Sequence, residues 1–325
     1  MGAGRGTCPM SAMLSRSAEN IYWMGRYLER AANLCRSLFV AEQLTVEIRG
    51  LAPEQAVDFW SGFQHVFPDS TTTEAFTDVD EARMFGLHSY LLGTNNTLSV
   101  VSSIHNAREN ARVIREYLTR EVFEQINECW LHLDAGLRGE ERPDTLLGQV
   151  QEAVFGIGGA TSRTLIRDEA WTFLDLGVML ERVYRVLLLL RHHIPLLIRT
   201  PSDVDIPVHH AVLRAVLRSA GSLENYRRVQ GVELTPQSVA GFLMFNTQTP
   251  HSVAFGAAHM QTDLLEIERD GVLTESARLV GRMVSQIRYE EQELLGRHDF
   301  AAVCGGLATE VAHIHESLTR LYFTV

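Results

Sequence analysis

Two segments of this sequence concentrate guanidinium and carboxylate groups at spacings that a helix brings onto one face. In the first, Tyr22, Arg26, Glu29 or Arg30, and Asn33 recur at intervals of three and four. In the second, Arg108-Glu109-Asn110-Ala111-Arg112 runs on to Arg115, Glu116 and Arg120, with Arg108, Arg112 and Arg115 along one face. A third set echoes the first: Gly177-x-x-Leu180-Glu181-Arg182 repeats Gly25-x-x-Leu28-Glu29-Arg30 at an offset of 152. A guanidinium is a planar fork of donors, so such clusters can grip a carboxylate or phosphate ligand through bidentate bonds. They can equally pair with each other across facing helices and set their register. Three arginines with one interleaved glutamate need partners from elsewhere, and Glu29 and Glu181 are the carboxylates expected to supply them. If the clusters hold a ligand, Arg26, Arg30, Arg108 and Arg112 are the expected anion contacts, oriented by Glu29, Glu109 and Glu181. Tyr22, Asn33, Arg115 and Arg182 complete the candidate set.

Other chemistries fail on inspection. All 29 basic residues are Arg, which excludes a Schiff base, a P-loop lysine and a lysine general base. Glu310-x-x-His313 lacks the second such motif that a di-iron carboxylate site requires. His313 and His315 fall on different helix faces, and His192-His193 belong to a helix's last turn, where the dipole favours them. Gly156-Ile157-Gly158-Gly159-Ala160-Thr161 has neither a preceding strand nor a lysine, and reads as a helix end and loop. Cys8, Cys35, Cys129 and Cys304 form no C-x-x-C pair, so neither a disulfide framework nor a zinc site is expected. No metal and no cofactor is expected. An enzyme built on these residues would use Glu29 or Glu181 as general acid/base, which requires a carboxyl of raised pKa in a pocket.

The elements that carry these residues read as helices throughout. Ile21, Met24, Leu28, Ala31, Leu34 and Leu38 recur at three and four over 15–49. Further helices are expected at 53–66, 80–93, 97–119, 121–137, 144–158, 168–193, 209–230, 236–244, 251–268, 272–295 and 299–321, with a Thr-rich loop at 68–78. Alternating strand patterns are absent, so the fold class is all-α, a bundle of long antiparallel helices. Ser99-Val100 and Ser252-Val253 open helices at an offset of 153, which extends the repeat and divides the chain into halves of about 13–160 and 165–325. No Pro/Gly/Ser-rich linker separates them, so 13–325 is expected as one domain. Residues 1–12 read as a flexible leader without an apolar signal region, and Met13 as a candidate start. The chain is 46% hydrophobic and carries a net charge of −11. That balance argues against wrapping nucleic acid. Its richest apolar run, from Val186 to Leu190, is bounded by Arg185 and Arg191, far short of the ~18 residues of a membrane span. The expected setting is the cytoplasm, with neither nucleic acid nor membrane as partner, and a homo-oligomer left open.

The residues also resemble a known family. The run Leu14-Ser15-Arg16-Ser17-Ala18-Glu19-Asn20-Ile21-Tyr22-Trp23-Met24-Gly25-Arg26-Tyr27-Leu28-Glu29-Arg30-Ala31 resembles the opening of the bacterial alpha-E proteins, all-helical and named for an E-R motif. Ala107-Arg108-Glu109-Asn110-Ala111-Arg112 with Arg115 is similar to the family's second signature. Arg167-Asp168-Glu169-Ala170-Trp171, followed by Phe173 to Gly177 and Leu180-Glu181-Arg182, is similar to its third. Pro250-His251-Ser252-Val253 resembles its late N-P-R-S-V turn. Departures fall in the second half: Val178 replaces an Arg, Ala170 a Gly, and Thr249 and His251 an Asn and an Arg. Ligand contacts carried by resemblance therefore rest on the first half. The resemblance implies a setting beside circularly permuted ATP-grasp ligases, with a transglutaminase-like protein as a further companion. It thus implies a non-catalytic partner in amide or peptide ligation, binding the ligase or presenting a carboxylate-bearing substrate to it.

Overall fold

The computed structural model describes residues 13–68, 75–139, 141–197, 206–268, 273–289 and 299–323. Among them the chain is all-α, as expected, with no strand. The helices are α1 (Ser15–Ile48), α2 (Pro53–Val66), α3 (Val79–Gly86), α4 (Val100–Val113), α5 (Arg120–Arg138), α6 (Pro143–Thr164), α7 (Glu169–Leu197), α8 (Ile206–Ser219), α9 (Leu223–Gln230), α10 (Pro236–Phe245), α11 (Val253–Ile267), α12 (Glu275–Tyr289) and α13 (Phe300–Leu318). The expected leader at 1–12, much of the expected loop at 68–78 and the end of the expected helix at 272–295 lie outside the described residues. No helix among the described residues is long and apolar enough to cross a membrane.

Local chemistry sets many of the helix starts. Ser99 and Ser252 each place a side-chain oxygen on the N–H three residues on, at Ser102 (3.0 Å) and Phe255 (3.1 Å). Thr235 and Ser238 form a reciprocal capping box, and prolines stand in the first turn of α2, α6 and α10. Three boundaries differ from the sequence reading. The expected helix at 209–230 is two helices, because Gly221 adopts φ +64°. There the Ser222 and Gly221 N–H groups bond back to Leu217 and Arg218 oxygens, a glycine C-terminal cap. Residues 156–161 are helical rather than a helix end and loop. Val154, Ile157 and Thr161 bury one face of α6 at helical spacing, and Thr161 Oγ1 donates to Ile157 O. The expected helix at 97–119 stops at Val113, so Arg115 lies in a separate 3-10 turn (Arg115–Tyr117) and does not continue the Arg108–Arg112 face.

The two E-R helices, α1 and α7, form the centre of the bundle, with α4 and α8 packed on α1 and α11 and α13 packed on α7. Helices α5 and α6, joined by a short connection, run antiparallel: Thr119 meets Thr164 while Gly136 lies against Leu146. Helices α1 and α7, far apart in sequence, run in the same direction: Met13 N–H donates to Glu169, and further along Glu29 meets Arg182. Glycine is required where they touch. A Cβ on Gly25 would lie 2.5 Å from Leu174 O, and one on Gly177 would lie 2.2 Å from Tyr22 O. The backbones are in contact there, and any larger residue would force them apart.

Candidate functional site

One turn beyond those glycines, the charged pairs meet across the same seam. Glu181 is fully buried, and its two oxygens accept six N–H bonds. Arg26 gives Nε and Nη2 at 2.9 and 2.8 Å, Arg30 at 2.8 and 3.0 Å, and Arg185 at 2.9 and 2.8 Å. Glu29 is held by Arg182 through Nε and Nη2, both at 2.8 Å, and by Asn33 Nδ2 at 3.0 Å. The exchange is reciprocal, since the Glu of each motif takes the Arg of the other. Burial pushes the Glu181 carboxyl upward, but the guanidiniums of Arg30, Arg185 and Arg26 overcome it and hold its pKa well below the carboxylate range. Burial likewise acts on Glu29, and Arg182 overcomes it, so its pKa is also lowered.

Three guanidiniums around one carboxylate leave surplus positive charge, and aromatic faces take it up. Arg26 lies 4.8 Å from the Trp23 ring centre, Arg30 5.4 Å from Tyr27, and Arg185 4.8 Å from Phe67. Arg185 also donates to Val66 O at 2.6 Å. Tyr22 is in the core as well, with its hydroxyl 2.9 Å from His315 Nδ1 and its pKa pushed to about 12 by burial. Arg185 was missed in the sequence, although its position four residues after Glu181 is the signal that could have found it.

The second cluster does not join this network. Arg108 donates to Asn127 Oδ1 (2.8 Å) and Glu109 (2.9 Å), and Arg112 pairs with Glu109 at 3.2 Å on the surface. Arg115 is exposed, bonded to Leu118 O and placed over the Phe123 ring. The expected pairing of these arginines with Glu29 and Glu181 is therefore corrected. Both glutamates are already bonded to arginines at the α1–α7 seam, and Glu109, the next residue in the chain, serves Arg108 and Arg112 instead.

Beside the Glu29–Arg182 pair lies a cavity of about 370 Å³ between α1, α6 and α7. Its polar corner is Glu29, Arg36, Arg182 and His251, the last reaching in from the turn before α11, and Leu28, Ile157 and Met179 lie among its apolar lining. Burial and the neighbouring cations Arg182 and Arg36 lower the His251 pKa to about 3, so the ring is neutral. Asp175, also in the wall, has its carboxyl raised by burial against the pull of His259, 3.8 Å away. Arg36 was absent from the sequence candidates, although it follows Asn33 by three on the same helix face.

An all-helical bundle organised around two crossed E-R pairs defines the class of protein. Residues 13–323 match the Alpha-E family, described as "a predicted alpha-helical domain with a conserved ER motif", and the chain belongs to that family. Two of its relatives are proteins of uncharacterized function from Mycobacterium bovis and Mycobacterium tuberculosis, each 24% identical over 332 residues. The alignment covers 97% of this chain and 36% of either relative, so the chain spans about a third of the length of these curated relatives. No solved structure matches it significantly.

Proposed function

We propose that this chain is a non-catalytic helical partner of an ATP-grasp ligase that forms amide or peptide bonds. The observation that carries the non-catalytic half is the state of the two motif carboxylates. General acid/base work requires a carboxyl tuned upward, whereas Glu29 and Glu181 are both lowered and both bonded to arginines. The reading with Glu29 or Glu181 as general acid/base is accordingly disfavoured. The partner half rests on the family resemblance and gains support from the mycobacterial relatives, in which this region is about a third of a longer chain. The same reading takes 13–160 and 165–325 as diverged copies of one helical unit, supported by the reciprocal Gly25/Gly177 and Glu29/Glu181 contacts. A transglutaminase-like protein is a further companion of the same setting.

The test is affinity capture of the tagged chain from its own host's lysate, with and without ATP, read by mass spectrometry. Stoichiometric recovery of an ATP-grasp ligase is the expected result, and a clean bait overturns the partner reading. Turnover of amide substrates by the chain alone, lost in Glu29→Gln with helicity intact, overturns the non-catalytic one.

A further inference from the structure

We infer that the cavity between α1, α6 and α7 is a binding site for a small molecule that carries a carboxylate and a short apolar group, with Arg36 as the anion contact. Arg36 makes two protein bonds, to Asn33 Oδ1 at 3.2 Å and Ser219 O at 3.3 Å. Both leave from Nη1 and both end on neutral oxygens, so Nε–H and Nη2–H remain for a ligand. Among the described residues no carboxylate lies within ion-pair distance of Arg36, because Glu29 has turned both its oxygens to Arg182. A second group points to the same place. The Nδ1 of His251 is shut off from solvent and has no hydrogen-bond partner among the described residues, although the ring lines the cavity. Leaving such an atom buried and unbonded carries the full desolvation cost of the group, so this corner holds a polar atom that the described residues do not satisfy.

Charge selects the ligand class. Glu29 and Arg182 pair with each other, and His251 is neutral, so Arg36 is the cation at this corner with no carboxylate bonded to it among the described residues. One negative charge balances it. A phosphate dianion would add surplus negative charge near Glu29 and Asp175, so the carboxylate is favoured. The remaining wall is apolar, with Leu28, Val154, Ile157, Met179 and Trp171, and the volume is within the range of small-ligand pockets. Gly158 and Gly159 also line it, and a Cβ on either would meet nothing within 4 Å. That side of α6 is open space.

The site deepens the partner reading by giving the chain a substrate-holding part, but its test uses the chain alone. Failure here leaves ligase capture standing, and failed capture leaves the cavity standing. The full chain is titrated with acetate, isovalerate and N-acetyl-L-leucine, with N-acetyl-L-leucinamide and inorganic phosphate as controls. The reporters are the Trp171 indole and the Gly158 and Gly159 amide resonances in nitrogen-15 NMR spectra. Saturable shifts are expected with at least one acid, and at least about tenfold weaker binding of the amide. Arg36→Gln should weaken the acid by at least about tenfold. Because Arg36 also supports Ser219 O, Gly159→Leu provides a second variant that fills the cavity from an open position; it should retain helicity and lose binding. Three results overturn the assignment: no saturable shift with any acid, acid and amide bound alike, or phosphate bound more tightly than every acid. Unchanged affinity in Gly159→Leu overturns it as well.

Discussion

Replacing Glu181 with Gln leaves the shape of the side chain and removes the one charge that three buried guanidiniums share. Arg26, Arg30 and Arg185 have side-chain exposures of 9%, 6% and 6%, so bulk water cannot take over the role. Breaking a buried pair by removing one partner typically costs about 3–5 kcal/mol. Here one removal orphans three cations, eliminates the three hydrogen bonds at the oxygen replaced by an amide nitrogen and weakens the other three, which places the expected loss at about 5 kcal/mol or more. That is comparable to the whole stability of many domains, about 5–15 kcal/mol. Removing an arginine instead should be much milder. In Arg185→Met, Glu181 keeps the four bonds from Arg26 and Arg30, and the surplus positive charge around it falls by one. Arg185 is itself disfavoured as a cation, first by burial and then by Arg30 and Arg26, so its loss relieves repulsion while it frees Val66 O. The expected cost is about 1–2 kcal/mol. Urea denaturation followed by far-UV circular dichroism measures both variants at neutral pH. A loss below about 2 kcal/mol for Glu181→Gln, or equal losses for the two variants, would refute the account of one carboxylate neutralising three cations.

Three further predictions follow from the same geometry. Gly25→Ala and Gly177→Ala should each cost about 3 kcal/mol, because their Cβ atoms would meet backbone oxygens at 2.5 and 2.2 Å; Gly158→Ala, facing open space, should gain about 0.5–1 kcal/mol from helix propensity, and thermal melts compare the three. Asp263 has its carboxyl pushed to about 8 by burial, with repulsion from Asp175 and Glu266, and its Oδ2 has no partner among the described residues. The folded state therefore holds a proton that the unfolded state releases near pH 4, so stability falls as pH rises from about 4 to about 8. Asp263→Asn should flatten that slope and be more stable than wild type at pH 8 by up to about 5 kcal/mol (about 1.4 kcal/mol for each of roughly four pH units), with little difference at pH 4; denaturation across this range reads it. Arg112→Ala removes only an exposed pair with Glu109, and denaturation should find a change within about 0.5 kcal/mol.

The helices were legible because each buries a stripe of apolar residues at three- and four-residue spacing, and that periodicity survives in any helical packing. Their ends were legible where a side chain does the capping, as at Ser99 and Ser252, and less so where the backbone does it. The glycine cap at Gly221 depends on a positive φ that a glycine permits without demanding. The run from Gly156 to Thr161 shows the opposite error: three glycines weaken a helix by propensity, but burial of Val154, Ile157 and Thr161 outweighs that. The candidate site was half legible. The repeat of Gly, Leu, Glu and Arg at one offset pointed to residues that meet across the α1–α7 seam, although it could not say that Glu29 and Glu181 serve each other's helices. Counting charges on the Arg108 face assigned them a second task, because a count carries no direction. Arg36 and His251 stayed hidden for a related reason. What marks them is a missing partner, which only the assembled structure reveals.

The internal order of the G-x-x-L-E-R motif follows from the way two parallel helices must meet. Glycine comes first because it brings each backbone against a carbonyl of the other, at Leu174 and Tyr22. Contact that close leaves no room for a side chain at the glycine positions themselves, so the carboxylates enter the seam about a turn further on, where Arg26, next to Gly25, reaches forward to Glu181. Glu29 and Arg30, four and five positions after Gly25, then reach Arg182 and Glu181. Neighbouring residues on one helix point about 100° apart, so an adjacent Glu-Arg pair cannot close on itself as readily as on a second such pair across the seam. A single E-R helix would bury an unmatched acid and base, whereas two of them in register bury matched pairs. The first half therefore depends on the second for its charge balance. Neither α1 nor α7 is expected to hold its buried motif without the other.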